Sequence, residues 1–310
     1  MHVLIAERNH RTYAALLRQA LPELELQASA DPAELARLAP DCELWLGQPD
    51  LLAGLLRQGL KPQWLQSTWA GVTPLLAGDL PRDYVLSRAV GIFGQVMAEY
   101  LLTYILAHER RLLACLARQV EQRWEVPAPG GLAGRRVLIV GAGEIGQAVA
   151  RHLAPFGLEL RGIARQPRPL PGFAEVTDLA SLTQQAGWAD YLVNLLPDTA
   201  TTRDLFDADL FARLQAGAVF INVGRGGAVV DQDLVEALER GQLAGAVIDV
   251  CRQEPLLAGH PFWSAPRLLL TGHSSAPTAP SAMARLFLDN LQRFQAGEPL
   301  LGRVDFAQGY

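Results

Sequence analysis

The stretch Arg136-Val137-Leu138-Ile139-Val140-Gly141-Ala142-Gly143-Glu144-Ile145-Gly146 decides the fold of this chain of 310 residues. Its aliphatic run, Val137 to Val140, predicts a buried strand. The run leads directly into a glycine-rich turn, and apolar residues at helical spacing follow from Ile145 to Ala154. A strand, a tight turn and a helix in this order predict the first unit of a parallel sheet covered by helices.

The segments that follow repeat this alternation of strand and helix. Further strands are predicted at Glu159 to Ala164, Tyr191 to Asn194, Ala218 to Val223, Ala246 to Val250 and Arg267 to Leu270. Helical patterns lie between them at Ser181 to Gln185, Asp207 to Leu214 and Asp231 to Arg240. Together with the opening unit, they predict a complete doubly wound sheet.

The N-terminal part of the chain alternates in the same way. Strands are predicted at Val3 to Ala6, Leu24 to Ala28, Glu43 to Leu46, Trp64 to Ser67 and Tyr84 to Ser87. The last helical pattern, Pro280 to Ala296, has no strand left to serve and is expected to return to this part. The predicted fold class is therefore α/β, with two doubly wound parallel-sheet domains and a cleft between them. The first would be flavodoxin-like (residues 1–92 and 278–310) and the second a Rossmann domain (residues 93–277).

One long helical pattern stands between the two series of strands. It runs from Gly94 to Gln119 and is nearly all apolar in its first half, so it is expected to be buried on several sides. Such a helix would bridge two domains or form the seam of a dimer. The chain is then expected to break at Pro127, Pro129, Gly130, Gly131 and Gly134.

Composition narrows the classes of function. The formal net charge is -5, Lys61 is the single lysine, and no block of basic residues is present, so no nucleic-acid partner is expected. The cysteines are scattered and odd in number, which predicts neither a disulfide framework nor a metal site. Apolar runs are far shorter than the roughly 20 residues of a transmembrane helix. A cytoplasmic protein with no membrane partner is expected.

Gly141, Gly143 and Gly146 match the GxGxxG fingerprint of dinucleotide-binding turns. The first glycine permits the tight turn, the second lets the backbone approach a pyrophosphate, and the third permits close helix packing. The phosphates would lie at the helix N-terminus, beside Glu144 and Ile145. The alternative is a glycine-rich turn that binds nothing.

The tip of the next strand predicts which dinucleotide is bound. An NAD site usually places an acidic residue there to accept from the ribose 2′-hydroxyl, but this chain has Ala164, followed by Arg165 and Arg168. Two guanidiniums would bind a 2′-phosphate, so NADP(H) is predicted in preference to NAD(H), which stays possible. The alternative is that both arginines are solvated loop charges. The cofactor is also assigned Leu196, Pro197, Val223, Gly224, Asp249, His273 and Ser275.

Arg225, Glu254 and His273 each follow an apolar, strand-like run and form a chemical set. A guanidinium grips an α-keto carboxylate at two points, a histidine donates a proton to the keto oxygen, and a glutamate keeps that histidine protonated. Together with the dinucleotide fingerprint, the set predicts hydride transfer. Taken singly, the alternatives are a structural ion pair for Arg225, a loop acid for Glu254 and a core histidine for His273.

Four ordered motifs resemble the signatures of the D-isomer-specific 2-hydroxyacid dehydrogenases. They are Gly141 to Gly146, Asn222 to Gly226, Asp249 to Pro255 and Gly272 to Ser274. The resemblance covers essentially the whole chain, and the arginine-bearing strand tip is most similar to the glyoxylate/hydroxypyruvate reductase A branch, which uses NADPH. It implies that Arg225 binds the substrate carboxylate and keto group, that His273 is the acid/base, and that Glu254 is its partner.

The resemblance also implies a substrate loop in the first domain, where Ala70, Gly71 and Val72 would offer backbone N–H groups to the substrate carboxylate. Trp69 stands where the family commonly has glycine, so it would narrow the pocket or pack against it. Trp45 would line the pocket, with a core tryptophan as the alternative. Gly272 replaces the proline that often precedes the catalytic histidine.

These features predict a reductase of small 2-keto acids, glyoxylate and hydroxypyruvate being the best candidates, which yields D-2-hydroxy acids. Larger keto acids or a phosphorylated substrate form a second possibility. A different class of function is a dinucleotide-sensing interaction protein on the same fold, with little or no turnover. A homodimer is expected from the resemblance and from the apolar helix.

Overall fold

A computed structural model describes residues 1–125 and 128–309 of the chain. Pro127, one of the predicted breaks, lies outside the described residues. The chain divides into two compact units, one formed by Met1–Ile92 and Thr278–Tyr310 and the other by Phe93–Pro277.

The described residues form twelve strands and ten α-helices. The strands are β1 (His2–Ala6), β2 (Glu25–Ser29), β3 (Leu44–Gly47), β4 (Trp64–Ser67), β5 (Val85–Ser87), β6 (Arg136–Val140), β7 (Glu159–Ile163), β8 (Glu175–Thr177), β9 (Tyr191–Asn194), β10 (Ala218–Asn222), β11 (Leu243–Ile248) and β12 (Leu268–Leu270). The helices are α1 (His10–Ala20), α2 (Pro32–Leu38), α3 (Pro49–Arg57), α4 (Gly94–Glu109), α5 (Leu112–Val120), α6 (Glu144–Leu153), α7 (Leu182–Ala186), α8 (Ala208–Arg213), α9 (Asp231–Glu239) and α10 (Pro280–Ala296).

The first unit is a parallel sheet with the strand order β2-β1-β3-β4-β5. Its central strands are buried on both faces, as their continuous apolar runs predict. Helix α10 belongs to this unit, where the Trp64 ring stacks on Phe287 at 5.2 Å and on Phe294 at 5.4 Å. In the same core, Asn290 donates to the Gln66 side chain at 2.8 Å, so these two side-chain amides are paired in the interior.

The second unit is a parallel sheet with the order β12-β11-β10-β9-β6-β7-β8. The direction of winding reverses at β6, which lies between β7 and β9, and such a switch point opens a crevice at the carboxyl ends of the strands. Alternate residues of β6 fill two separate cores, with Leu138 on one face and Ile139 on the other. The predicted α/β class with two parallel sheets is confirmed.

The prediction of one long helix from Gly94 to Gln119 is wrong. The helix ends at Glu109, and a second one begins at Leu112, because Arg111 adopts a left-handed conformation with φ of 54°. Only the first helix is buried as expected. None of the described side chains of α5 is buried. The apolar face of the second half of the predicted helix is therefore in contact with solvent.

The sheet of the second unit also contains a strand that the sequence did not predict. Strand β8 (Glu175–Thr177) pairs in parallel with β7 at the sheet edge. It escaped prediction because three residues at an edge, none of them buried, carry no continuous apolar run.

Candidate functional site

The glycine-rich turn after β6 has the geometry of a phosphate cradle. Gly141 has φ of 116°, and a Cβ there would lie 2.9 Å from the Leu195 carbonyl carbon. A Cβ on Gly146 would lie 2.3 Å from the Gly141 oxygen, so helix α6 packs against the turn at a distance that only glycine permits. At Gly143, by contrast, an added Cβ meets no described atom within 4 Å. The turn therefore has open space at the position that the fingerprint assigns to pyrophosphate.

The N-terminus of α6 provides the donors for this cradle. Gly143 is the N-cap residue, and no side chain of the described residues caps the helix. The first N–H groups of a helix have no partner within the helix, so those beside Glu144 and Ile145 are available to an anion. Open space, uncapped amides and a positive helix end fit the pyrophosphate of a dinucleotide.

The strand tip that would receive the adenosine ribose contains no carboxylate. Strand β7 ends at Ile163, and the Ala164 N–H donates to the Thr177 carbonyl at 2.8 Å. Arg165 and Arg168 lie exposed in the following loop. On the neighbouring strand end, the Asp178 carboxylate accepts from the N–H and the hydroxyl of Ser181 and so closes a local turn.

Arg225 is presented by a turn that two buried asparagines hold. The Asn222 side-chain oxygen accepts from Asn194 at 2.9 Å and from the Gly224 N–H at 3.3 Å. A Cβ on Gly224 would lie 2.8 Å from the Leu196 oxygen, so this turn packs directly on the loop after β9. The sequence predicted no positioning role for the side chain of Asn194 or Asn222. Their positions at the ends of β9 and β10 were the available signal.

The Arg225 side chain is half-buried. Burial lowers its pKa, whereas the charges of Glu254 and Asp198 act in the opposite direction. One guanidinium N–H donates to the Gly224 carbonyl at 2.6 Å, which fixes the orientation of the planar group. A half-buried and oriented guanidinium is suited to bind a carboxylate at two points.

His273 and Glu254 form a short hydrogen-bonded pair. The His273 Nδ1 donates to Glu254 Oε2 at 2.7 Å, and the other carboxylate oxygen accepts from the Cys251 N–H at 2.9 Å. Because a carboxylate only accepts, Nδ1 carries the proton. No described residue hydrogen-bonds to Nε2, so this atom is left to exchange a proton with a substrate.

The two groups hold each other in their charged forms. The hydrogen bond to Glu254 raises the pKa of His273, although burial and the Arg225 charge oppose the rise. Burial alone would raise the pKa of Glu254, but the hydrogen bonds from His273 and the Cys251 N–H lower it below its usual range. The pair therefore favours the protonated imidazole and the ionised carboxylate.

Asp249 is buried, with 2% of its surface exposed, beneath the loop that carries His273. Its carboxylate accepts from the Ser274 N–H at 2.7 Å and from the Ser275 N–H at 3.1 Å. The assignment of Asp249 to the cofactor stays a prediction, and the structure shows it engaged with this loop. Gly272 has φ of 66°, which proline cannot adopt, so this loop conformation excludes the proline that often stands here in the family.

Cys251 and Met97 are packing residues. Burial raises the pKa of the Cys251 thiol to about 11, so it is not a thiolate nucleophile near neutral pH. Met97 lies in the core of the second unit. The predicted cofactor residues Pro197, Val223 and Ser275 follow strands β9, β10 and β12, at the carboxyl edge of the same sheet.

The loop after β4 in the first unit provides unpaired donors. None of the backbone N–H groups of Ala70, Gly71 and Val72 donates a hydrogen bond to a described residue. Trp69 is half-buried at the start of the loop, and its N–H donates to the Ser67 hydroxyl at 3.0 Å. The assignment of these three residues to a substrate carboxylate stays a prediction.

Trp45 does not have the position expected of a substrate-lining residue. It is 1% exposed in the core of the first unit, and its indole N–H donates to the Cys42 carbonyl at 3.1 Å. The alternative of a core tryptophan accounts for it. Glu7, for which the sequence predicted no role, is buried at the end of β1. Its carboxylate accepts from the Thr68 hydroxyl at 2.8 Å.

Within residues 1–125 and 128–309, no helix is long and apolar enough to span a bilayer. No group of three or more His, Cys, Asp or Glu side chains among them is arranged to hold a metal ion.

Comparisons with known proteins give a consistent result. Residues 102–275 match the profile of the D-isomer specific 2-hydroxyacid dehydrogenase, NAD binding domain. A relative from Serratia proteamaculans, glyoxylate/hydroxypyruvate reductase A, is 35% identical over 97% of each chain. The crystal structure of a D-isomer specific 2-hydroxyacid dehydrogenase family protein from Aeromonas salmonicida has a TM-score of 0.93 and 37% identity, covering 98% of this chain and 99% of that one. An NADPH-dependent glyoxylate/hydroxypyruvate reductase from Sinorhizobium meliloti, solved with NADP and sulfate, has a TM-score of 0.87 and 33% identity over 100% of this chain and 99% of that one.

Proposed function

The chain belongs to the D-isomer specific 2-hydroxyacid dehydrogenase family, and we propose that it is an NADPH-preferring reductase of small 2-keto acids. It is an oxidoreductase, as the resemblance in its motifs implied. The observation that carries the finer proposal is the His273–Glu254 pair at 2.7 Å, which is under the electrostatic influence of the half-buried Arg225.

The reaction adds a hydride to the keto carbon and a proton to the keto oxygen. Bound NADPH supplies the hydride. His273 donates the proton from Nε2 and becomes neutral, while Glu254 keeps the ring oriented through Nδ1. Arg225 binds the substrate carboxylate and polarises the carbonyl that gains negative charge. Reduction to the D-2-hydroxy acid is proposed because the family is specific for the D-isomer.

The cofactor preference follows from charge at the tip of β7. Arg165 and Arg168 would bind a 2′-phosphate, and the loop has no acidic residue that would repel it. The Sinorhizobium relative is described as NADPH-dependent, which supports the same preference. NAD(H) would bind more weakly because it lacks the phosphate.

The substrate class is proposed from the relatives and from the loop of the first unit. Several relatives at 31 to 35% identity are named glyoxylate/hydroxypyruvate reductase A. Within the first unit, the unpaired N–H groups of Ala70, Gly71 and Val72 are proposed to bind a carboxylate, and the bulk of Trp69 beside them favours a small substituent.

A homodimer is part of the proposal. The apolar face of α5 and the residues after it exposes Leu112, Leu113, Leu116, Val120 and Trp124. Trp124 is 98% exposed, and a patch of this kind is typical of a protein interface, here proposed to be with a second copy of the chain. Sedimentation equilibrium at micromolar concentration would give the mass of two chains. The mass of one chain would reject the dimer.

The function is tested by steady-state oxidation of NADPH and NADH with glyoxylate, hydroxypyruvate, pyruvate and a bulkier 2-keto acid. We expect glyoxylate and hydroxypyruvate to be reduced, with kcat/KM at least about tenfold higher for NADPH than for NADH. Arg165→Asp should reverse this preference, because the carboxylate repels the 2′-phosphate. Arg213→Asp is a charge-matched control on an exposed residue in the last turn of α8.

Each alternative has its own outcome in this test. An unchanged preference in Arg165→Asp would reject the cofactor assignment but leave the reductase. Preference for the bulkier keto acid would reject the substrate class. Tight NADPH binding without turnover of any keto acid would favour a dinucleotide sensor.

The pH dependence of the reaction follows from the raised pKa of His273. Reduction needs the imidazolium, so kcat/KM should be constant at low pH and fall as pH rises through that pKa. Oxidation of the hydroxy acid needs the neutral ring and should show the reverse. Glu254→Gln removes the charge that stabilises the imidazolium, so we expect the descending limb for reduction to move to lower pH. An unmoved limb in pH–rate profiles would show that Glu254 does not set this pKa.

A further inference from the structure

The backbone of the His273 loop has an unfavourable conformation. Gly272 and His273 are consecutive left-handed residues, with φ of 66° and 58°. Glycine adopts this conformation without cost, but a residue with a Cβ does so only when the surrounding structure holds it. Something must therefore fix His273 in place.

Asp249 holds the loop from below. Its carboxylate accepts from the Thr271 hydroxyl at 2.6 Å and from the backbone N–H groups of Ser274 and Ser275. Its own carbonyl accepts from the His273 N–H at 2.6 Å. The residues on both sides of His273, and His273 itself, are thus anchored to one buried residue at the end of β11.

A tyrosine from another element extends this anchor. The Tyr100 hydroxyl of α4 lies 2.7 Å from the Thr271 hydroxyl oxygen. Because Thr271 has one hydroxyl proton and gives it to the Asp249 carboxylate, the proton between Tyr100 and Thr271 must come from Tyr100. Burial raises the pKa of Tyr100, so its hydroxyl remains a donor across the working pH range. The direction of the chain is therefore fixed from Tyr100 through Thr271 to Asp249.

We propose that Tyr100, Thr271 and Asp249 form a hydrogen-bonded strut that positions His273 for proton transfer. Tyr100 and Thr271 are positioning residues, because they act on the proton donor through Asp249 and the loop. The inference rests on the proposed function, in which His273 donates the proton. It assigns a role to α4 in the chemistry of the site, beyond the packing of its apolar face.

The strut matters because the charge state of His273 depends on geometry. The ionised or titratable groups that face His273 are Glu254, Arg225 and Asp249, and the short hydrogen bond to Glu254 is the strongest of these influences. If the loop loosens, this bond lengthens while the opposing effect of Arg225 remains. The pKa of His273 then falls, and Nε2 is no longer held at one place relative to the keto oxygen.

The direct test compares two substitutions of Thr271. Valine has the shape of threonine but neither accepts from Tyr100 nor donates to Asp249, whereas serine keeps both hydrogen bonds. In Thr271→Val we expect kcat for keto-acid reduction to fall by about 10- to 100-fold with a smaller change in KM. The descending limb of its pH profile should move about half a unit to lower pH. Thr271→Ser should restore both properties.

The second test uses two neighbouring tyrosines of α4. Tyr100→Phe removes the first hydrogen bond of the strut and keeps the ring, which lies 4.6 Å from the Tyr104 ring. Tyr104→Phe is the matched control, since its hydroxyl makes no hydrogen bond with a described residue. We expect Tyr100→Phe to shift the pH profile in the same direction as Thr271→Val, and Tyr104→Phe to leave it unchanged.

The possible outcomes distinguish a positioning role of the strut from an effect on stability alone. They also distinguish failure of the inference from failure of the proposed function. Lower melting temperatures with unshifted pH profiles in Thr271→Val and Tyr100→Phe would reduce the strut to a packing feature and overturn the inference. If substitution of His273 abolishes turnover but Thr271→Val matches the parent, the inference fails and the proposed function stands. If His273 variants remain fully active, the proposed function fails first.

Discussion

Replacement of His273 by asparagine is expected to reduce kcat for glyoxylate or hydroxypyruvate reduction by about 10²- to 10⁴-fold. Asparagine tolerates the left-handed conformation that His273 adopts, with φ of 58°, so the loop should keep its path. The amide N–H can still donate to Glu254, but asparagine has no atom at the position of Nε2 and cannot release a proton to the keto oxygen. The loss therefore reports on proton transfer and not on a collapsed loop.

The measurement is single-turnover oxidation of NADPH, with cofactor binding followed separately by fluorescence. NADPH affinity should remain within a few-fold of the parent, because the phosphate cradle lies on another turn of the sheet. His260→Asn is the matched control, since His260 caps the turn Pro261–Trp263 through the Phe262 N–H, and asparagine is a good cap. Near-parental turnover in the His273 variant would remove the histidine from the mechanism.

Most of the fold could be predicted because its parallel strands are buried on both faces. Strands such as β6, β9 and β10 are therefore continuous apolar runs between turn residues, which are the most legible signal in a sequence. The predicted strand at Trp64 to Ser67 coincides with β4. The break between α4 and α5 could not be read in the same way, because Arg111 is neither glycine nor proline and takes its left-handed conformation from context.

The proposed reactive residues of the site could be identified in the sequence, but the residues that hold them could not. The residue types alone suggest the chemical roles of Arg225, Glu254 and His273, and each of the three follows a strand. The residues that hold them are harder to identify. Asn222 is uncharged and shapes the Arg225 turn. Tyr100 hydrogen-bonds to Thr271, which lies 171 positions later in the sequence. Only folding brings Tyr100 and Thr271 together, so no local pattern could reveal that pair.

Trp45 shows the opposite error. Its position near the end of an early strand suggested a pocket, but strand β3 is central in its sheet and buried throughout, so both faces are core. Tryptophan in such a strand fills volume, and its N–H needs only one acceptor, which the Cys42 carbonyl supplies. Residue type alone could not distinguish a core tryptophan from one that lines a pocket.

Replacement of Arg225 by lysine should be nearly as damaging as loss of His273, although the formal charge is conserved. A guanidinium offers two parallel N–H groups to a carboxylate, and a lysine ammonium acts as a single point charge. Burial lowers the pKa of Arg225 and would also lower that of a lysine in this position. We expect kcat/KM for the keto acid to fall by about 10²- to 10³-fold, in both KM and kcat.

The control for Arg225→Lys is Arg136→Lys at the other end of the same sheet. Arg136 donates to both carboxylate oxygens of Asp190 at 3.2 Å, so it is also a two-point arginine in a half-buried ion pair, but at the amino end of β6. Its replacement should lower the melting temperature and leave the keto-acid KM unchanged. If Arg225→Lys lowers the melting temperature alone and keeps kcat/KM, the guanidinium is a structural ion-pair partner. If kcat/KM falls while NADPH affinity and the melting temperature are unchanged, Arg225 binds the substrate. The reason is that a carboxylate bound at two points distinguishes arginine from lysine, and the keto acid provides this carboxylate.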